Sequence, residues 1–247
     1  MNFIPRISDT PAALSAVIFD MDGVLADTEP LHGGCFVTSF AAQGIDIGFE
    51  DYRLAVTIGG STVRDFYLSL GGDPSSWDEV KALKDELMES AVREHARPMP
   101  GVIDLLRSLK DVGIRTAVAT SARRTSLGFV LDKLGIWEFF DCFVSKEDTG
   151  AEKPDPSIFL LAAHKLGVHP SNCITIEDSP RGTVASQRAG MRCVAVPTDT
   201  TFDGDFTLAT TVVSSLEKVS VETLTQLMAY EVQSRTATLT QQQCPDA

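Results

Sequence analysis

Asp20 and Asp22 stand two residues apart where an apolar run, Ala16-Val17-Ile18-Phe19, breaks into Gly23-Val24-Leu25-Ala26-Asp27-Thr28. An apolar run without polar alternation predicts a strand covered on both faces, so the carboxylates emerge at its C-terminal edge. That edge is where open parallel sheets bind ligands. The alternation of strand side chains is expected to send both carboxylates to one side, where they converge. This arrangement suits phosphoryl transfer through a covalent acyl phosphate. A carboxylate with an ordinary pKa of about 3.9 is ionised at neutral pH, so Asp20 can attack phosphorus without a base to activate it. Asp22, its pKa raised by its like-charged neighbour, is the expected general acid and base. It would protonate the departing oxygen and take a proton from the water that hydrolyses the aspartyl phosphate. An isolated Asp-x-Asp more often caps a turn, so this reading leans on what else reaches the same edge.

Three more groups are expected there. Thr120 and Ser121 follow the apolar Thr116-Ala117-Val118-Ala119. The Thr120 hydroxyl can donate to a phosphoryl oxygen beside backbone N–H groups; the alternative is an N-cap for the helix starting at Arg123. Lys153, in Ala151-Glu152-Lys153-Pro154, can neutralise a transferring phosphoryl and hold Asp20 in place, although most lysines are simply solvated. Glu177-Asp178 closes the apolar run ending at Ile176, repeating the layout of Asp20 and Asp22 on a neighbouring strand. Like charges 4 Å apart repel by roughly 4 kcal/mol at an effective dielectric of 20, so such a cluster needs a counter-ion. Oxygen-only ligands point to Mg²⁺.

The elements that must position these groups are legible as alternation. From Met99 onward strands and helices alternate, with Gly113, Gly135, Gly167 and Gly190 closing helices and Asp155-Pro156 and Ser179-Pro180 opening them. The pattern predicts an α/β fold with a doubly wound parallel sheet. The stretch from Pro30 to Pro98 carries helical patterns and no buried strand, which predicts an inserted helical cap next to the first carboxylates. Within it Ser76-Trp77-Asp78-Glu79 has the form of a capping box, followed by an apolar face of Val80, Leu83, Leu87 and Ala91. Thr62-Val63-Arg64-Asp65 is expected to open another helix. The expected division is a core of residues 15–29 and 99–230, a cap of 30–98, an N-terminal extension of 1–14 and a polar, disordered tail of 231–247.

Composition narrows the function. The chain has 247 residues, is 43% hydrophobic and carries a net charge of −13, with a sequence pI of about 4.7. A phosphate backbone would be repelled over most of such a surface, so nucleic acid is not expected as a partner. Five scattered cysteines without a CxxC pair fit free thiols in a reducing cytoplasm. No signal peptide or membrane span is read, and a monomer acting on a small phosphorylated metabolite is expected.

Together, Asp20-Met21-Asp22-Gly23-Val24, Thr120, Lys153-Pro154 and Glu177-Asp178-Ser179 resemble, in order and spacing, the four motifs of the haloacid dehalogenase-like hydrolases. The resemblance runs from about Ala16 to Leu216. It extends to the first subfamily, with a helical cap, and through Asp27-Thr28-Glu29-Pro30-Leu31-His32 to the branch of β-phosphoglucomutases and sugar-phosphate phosphatases. It implies Asp20 as nucleophile, Asp22 as acid and base, and Thr120 and Lys153 as phosphate and charge holders. It implies Mg²⁺ on Asp20, the backbone carbonyl of Asp22 and Asp178, with Glu177 in or near that shell. His32, Gly60, Ser61 and Arg64, with Ser121 on the core side, are the expected substrate contacts. A mutase must hold a second phosphate on the cap side. The arginine that follows the Gly-x-Ser turn in the resembling mutases is Thr62 here, which favours a phosphatase, while His32 and the nearby Arg64 and Arg123 keep the mutase as the alternative. A dehalogenase needs no metal, a phospho-accepting receiver lacks a helical insert, and a non-catalytic binding module would be expected to have lost one of Asp20, Asp22 or Lys153.

Overall fold

The structure is a computed structural model and describes residues 13–229. The polar tail and most of the N-terminal extension lie outside the described residues. The chain opens with β1 (Ala16–Phe19) and passes into α1 (Glu29–Ala41), α2 (Phe49–Tyr52), a π-helical turn (Arg53–Ile58), α3 (Val63–Ser69) and α4 (Trp77–His95). It continues through α5 (Val102–Asp111), β2 (Arg115–Ala119), α6 (Arg124–Leu134), β3 (Cys142–Val144), α7 (Lys146–Thr149) and α8 (Ser157–Leu166). Then come β4 (Cys173–Glu177), α9 (Pro180–Arg188), β5 (Arg192–Ala195), β6 (Thr211–Val212) and α10 (residues 221–229).

The six strands form one parallel sheet in the order β3-β2-β1-β4-β5-β6. This is the expected doubly wound architecture. β1 is central, with Phe19 level with Val118 of β2 on one side and Ile176 of β4 on the other. Its alternate side chains feed different layers. Val17 and Phe19 pack with Leu106, Leu109 and Leu131 from α5 and α6, whereas Ala16 and Ile18 pack with Ile158, Phe159 and Ala162 from α8. A strand sandwiched this way has no room for polar side chains until it ends.

Between β1 and α5 the described residues contain only helices and turns apart from isolated bridges of Ala26 with Asp22 and with Pro98. These helices gather their own small core of Phe40, Tyr67 and Val80. Thr62 caps α3 by accepting the Asp65 N–H at 3.1 Å, as its sequence predicts. Two local expectations are corrected. Ser76 does not cap α4: a 3₁₀ turn (Pro74–Ser76) runs straight into the helix, and Asp73 accepts the Ser75 N–H instead. The buried line of α4 is Val80, Lys84, Met88 and Val92, with Leu83, Leu87 and Ala91 flanking it. The i, i+4 ridge faces inward because α4 packs against both α1 and α6.

Ser179 caps α9 through the Gly182 N–H at 3.1 Å. α8 begins at Ser157, one residue later than expected, with Asp155 accepting the Ser157 N–H at 2.9 Å. Cys35, Cys142, Cys173 and Cys193 are free thiols. Among the described residues no helix is long and apolar enough to cross a membrane. Leu106 is fully buried in the larger layer; Leu106→Ala is expected to lower unfolding free energy by about 2–5 kcal/mol in urea. The exposed Val112 replaced by Ala should change it by no more than about 0.5 kcal/mol.

Candidate active site

Asp20 leaves β1 with its N–H donated to the Ile176 carbonyl of β4 at 2.9 Å, so its side chain starts from a fixed point between the two central strands. The chain then turns. The Met21 carbonyl accepts the N–H groups of Leu25 and Ala26 at 2.9 and 3.2 Å, and Gly23 takes φ +74°. A Cβ on Gly23 would lie 2.2 Å from Asp178 Oδ2, so only glycine lets this turn pass so close to the β4 carboxylate. On the other side Gly182, in the first turn of α9, leaves room for Glu177, whose Cδ would sit 1.9 Å from an added Cβ.

Asp20, Glu177 and Asp178 are all buried, and a carboxylate oxygen from each lies within 4.8 Å of the others. Lys153 joins them from the loop before α8. Its ammonium donates to Asp20 Oδ1 and to Glu177 Oε1, both at 2.5 Å, and lies 4.9 Å from the Phe159 ring centre. Its backbone is held as well. The N–H donates to Ser121 Oγ at 3.3 Å, the carbonyl accepts from the Arg181 guanidinium, and the Lys153–Pro154 peptide is cis. Thr120 is buried one residue before Ser121; its Oγ1 accepts the Ala122 N–H at 3.0 Å, which leaves its proton free to donate.

Asp22 sits beside this cluster, and its carboxylate is bonded to groups outside it. Oδ1 accepts from Thr28 Oγ1 at 2.5 Å and pairs with His32 Nε2 at 3.1 Å. The strand ends at Phe19 and the turn at Gly23 carries Asp22 past it, yet the Asp22 carboxylate stays close enough to Asp20 for its charge to push the Asp20 carboxyl up. The expected upward shift of Asp22 is not found. Burial pushes its carboxyl up, but the charge and hydrogen bond of His32, the bond from Thr28 and the ammonium of Lys84 outweigh burial and hold it below the usual range. Gly60, Ser61 and Arg64 are exposed and make no hydrogen bond with this cluster among the described residues. Arg64 instead lies near Asp78, whose carboxyl it helps to lower.

Residues 17–196 match the family described as haloacid dehalogenase-like hydrolase. The chain belongs to that family. It is 32% identical to hexitol phosphatase B of Escherichia coli K12, covering 87% of this chain and 98% of that one. Its structure is similar to a CbbY variant from Rhodobacter sphaeroides in complex with xylulose-1,5-bisphosphate, with TM-score 0.74, 31% identity and coverage of 83% and 96%. It is also similar to a β-phosphoglucomutase from Clostridium difficile, with TM-score 0.75, 26% identity and coverage of 89% and 99%. The expected family, branch and enzyme class, a phosphoric monoester hydrolase, are borne out.

Two residues near this site that sequence reasoning missed lie on α4 and at the first position of α1. Lys84 of α4 is buried, feels the charge of Asp22, and has its ammonium 5.3 Å from the Phe36 ring centre. Burial lowers its pKa, with Asp85 and Asp22 pulling the other way. A lysine in the middle of an apolar i, i+4 line was the signal that could have found it. Glu29, at the start of α1, is pushed up to about 7 by burial, against the pull of His32.

The donor set fits a hard divalent cation. Asp178 Oδ2 is buried without a hydrogen-bond partner among the described residues, the available ligands are carboxylate oxygens, and these suit Mg²⁺. The protons show the same shortage of positive charge. Burial pushes Asp20 up to about 8, with Lys153 pulling down and Glu177 and Asp22 pushing further up. Burial and the charges of Glu29, Asp20 and Glu177 raise Asp178 well above its ordinary value. A carboxyl raised from 3.8 to about 8 keeps its proton longer in the folded state. Its contribution to stability is complete below the unfolded pKa and is lost as pH rises through the folded one. Protein stripped of divalent cations should therefore lose melting temperature as pH is raised from about 5 to 8. The slope per retained proton is about 1.4 kcal/mol per pH unit, and added Mg²⁺ should restore stability most at the high end. A melting profile that is flat with pH and indifferent to Mg²⁺ would overturn this charge accounting.

Proposed function

We propose that this chain is a Mg²⁺-dependent phosphatase that hydrolyses a small sugar or polyol phosphate monoester through an aspartyl phosphate on Asp20. The observation that carries this reading is the Lys153 ammonium, 2.5 Å from both Asp20 and Glu177. It fixes the orientation of the attacking carboxylate and stands where a phosphoryl group would place its charge. The names of the relatives support the substrate class: one acts on hexitol phosphates, and another has been crystallised with a ketopentose bisphosphate.

In this mechanism an Asp20 oxygen attacks phosphorus, the P–O bond to the leaving alcohol breaks, and the alkoxide takes the proton of the Asp22 carboxyl. Water then attacks the aspartyl phosphate, gives its proton to the Asp22 carboxylate and releases inorganic phosphate, which regenerates Asp20. Asp22 rests ionised between His32 and Thr28. An arriving anionic phosphoryl group opposes those neighbours and raises the carboxyl, so protonation follows substrate entry. Thr120 donates its free hydroxyl proton to a phosphoryl oxygen, and Lys153 neutralises the group in transit. Asp20, Asp178 and Glu177, with the Asp22 carbonyl, would hold Mg²⁺, which when bound supplies charge neutralisation between the carboxylates and the dianionic substrate. His32 and Lys84 are the insert groups closest to the acid. They are better placed than Gly60, Ser61 or Arg64 to touch the leaving alcohol.

The mutase reading shares the first half of this mechanism. It is favoured by the contact of His32 with Asp22 at 3.1 Å and weakened by Thr62, which offers no charge to a second phosphate. Incubation with a panel of sugar and polyol phosphates and Mg²⁺, measuring free phosphate and isomerised product together, separates the two. Phosphate without isomer is expected, and isomer as the main product would replace the phosphatase reading. Asp20→Asn should lower kcat/KM by more than about 10³-fold in protein whose circular dichroism shows the fold intact. Residual phosphate release by the folded variant would remove Asp20 from the attacking role.

A further inference from the structure

The helical insert is attached to the core along one flank of the carboxylate site. Met88 and Val92 of α4 share a core with Leu127 and Val130 of α6, Arg93 lies over the Phe129 ring at 5.4 Å, and Arg123 pairs with Asp85. The helix α6 follows β2, on one side of β1. The loop that follows β5 lies on the other side, beyond β4, and here the insert makes a second and different attachment.

Arg53, the first residue of the π-helical turn, is only 7% exposed. Its Nε and Nη2 donate to Glu50 of α2 at 2.8 and 2.7 Å. Its Nη1 and Nη2 donate to Asp203 in the core loop at 2.7 and 3.0 Å, and Nη1 donates again to the Thr200 carbonyl at 3.1 Å. Every N–H of the fork is used. Among the described residues Arg53–Asp203 is the one ion pair joining the insert to this loop, and the Phe202 ring, 66% exposed, lies 5.8 Å from the guanidinium.

The anchor is stiff. Thr198 accepts the N–H of Thr201 through its carbonyl, donates its own N–H to Thr201 Oγ1 at 2.9 Å, and its hydroxyl meets that of Thr200 at 2.8 Å. Gly204 follows so close to Pro180 that a Cβ would lie 2.5 Å from the ring. Pro180 opens α9 directly after Glu177, Asp178 and Ser179, so the partner of Arg53 rests on the turn that bears the site. On the insert side, Tyr52 precedes Arg53, is buried, stacks on Phe36 at 5.8 Å and lies near enough to Glu29 to feel its charge.

We propose that Arg53 is a positioning residue that clamps the helical insert to the core loop after β5, holding the insert down on both flanks of the strand-end carboxylates. The clamp sets how well the closed site is maintained around a small substrate. Its kinetic consequence rests on the phosphatase reading; its structural consequence does not.

The test uses the full chain with Mg²⁺ and the variants Arg53→Ala, Arg53→Lys and Asp203→Asn. Hydrogen exchange is expected to speed up about tenfold or more at amides 49–58 and 198–204 in Arg53→Ala and Asp203→Asn, with residues 80–95 unchanged. With the best substrate of the panel, KM should rise about tenfold with kcat within about threefold, and Arg53→Lys, which keeps the charge without the fork, should recover only part of the loss. The double variant Arg53→Ala/Asp203→Asn should be no worse than Arg53→Ala alone. Unchanged exchange in both segments, or losses that multiply in the double variant, would overturn the clamp. If no member of the panel releases phosphate, the phosphatase reading fails, and the exchange result still decides the clamp by itself.

Discussion

The ammonium of Lys153 stands against the buried carboxyls of Asp20, Glu177 and Asp178, and this shortage of positive charge governs what the rest of the fold must supply. Two like charges about 4 Å apart repel by about 4 kcal/mol at an effective dielectric of 20. Without a further cation the cluster relieves that repulsion by keeping protons, and burial raises both Asp20 and Asp178. A protonated Asp20 is a poor nucleophile. The same burial that limits bulk water around the carboxylates thus makes the nucleophile dependent on a cation, and the orphaned Asp178 oxygen beside Gly23 marks where positive charge is needed.

The acid at position 22 obeys different neighbours although it is only two residues away. Its charge balance is set by Thr28 and His32 at the start of the insert and by Lys84 on α4. Asp20 therefore answers to the core and Asp22 to the helices placed over it. This division lets one short turn hold two carboxyls in opposite states, one raised and one lowered. It also means that any displacement of α1 or α4 changes the proton affinity of Asp22 before it changes that of Asp20.

What the sequence displays well is whatever repeats locally. The apolar run ending at Phe19, the acid pair closing β4 and the glycines closing α6 and α8 are short-range signals, and the sheet follows from them. The side chains of Lys84 and Arg53 are harder to read because their importance comes from partners far along the chain: Asp22 for one, and Asp203, 150 residues away, for the other. A lysine or arginine on a helix normally reads as solvated. Ser76 misled for a related reason, since a capping-box pattern gave no warning that a 3₁₀ turn capped by Asp73 would lead into the helix and leave Ser76 without a capping bond.

Lys153 also ties the loops around the sheet edge to one another. Its ammonium ties Asp20 after β1 to Glu177 at the end of β4, its N–H rests on Ser121 after β2, and its carbonyl is held by Arg181 of α9. Taking one partner from a buried ion pair costs about 3–5 kcal/mol because the other charge is left uncompensated. The ends of β1 and β4 are therefore held in register by a penalty larger than an ordinary hydrogen bond contributes, while Ser121 and Arg181 add hydrogen bonds to the lysine's backbone. The sheet brings the strand ends together, but it is this shared lysine that makes their side chains act as one unit. A group entering between Lys153 and Asp20 meets three strand ends that are already mutually fixed.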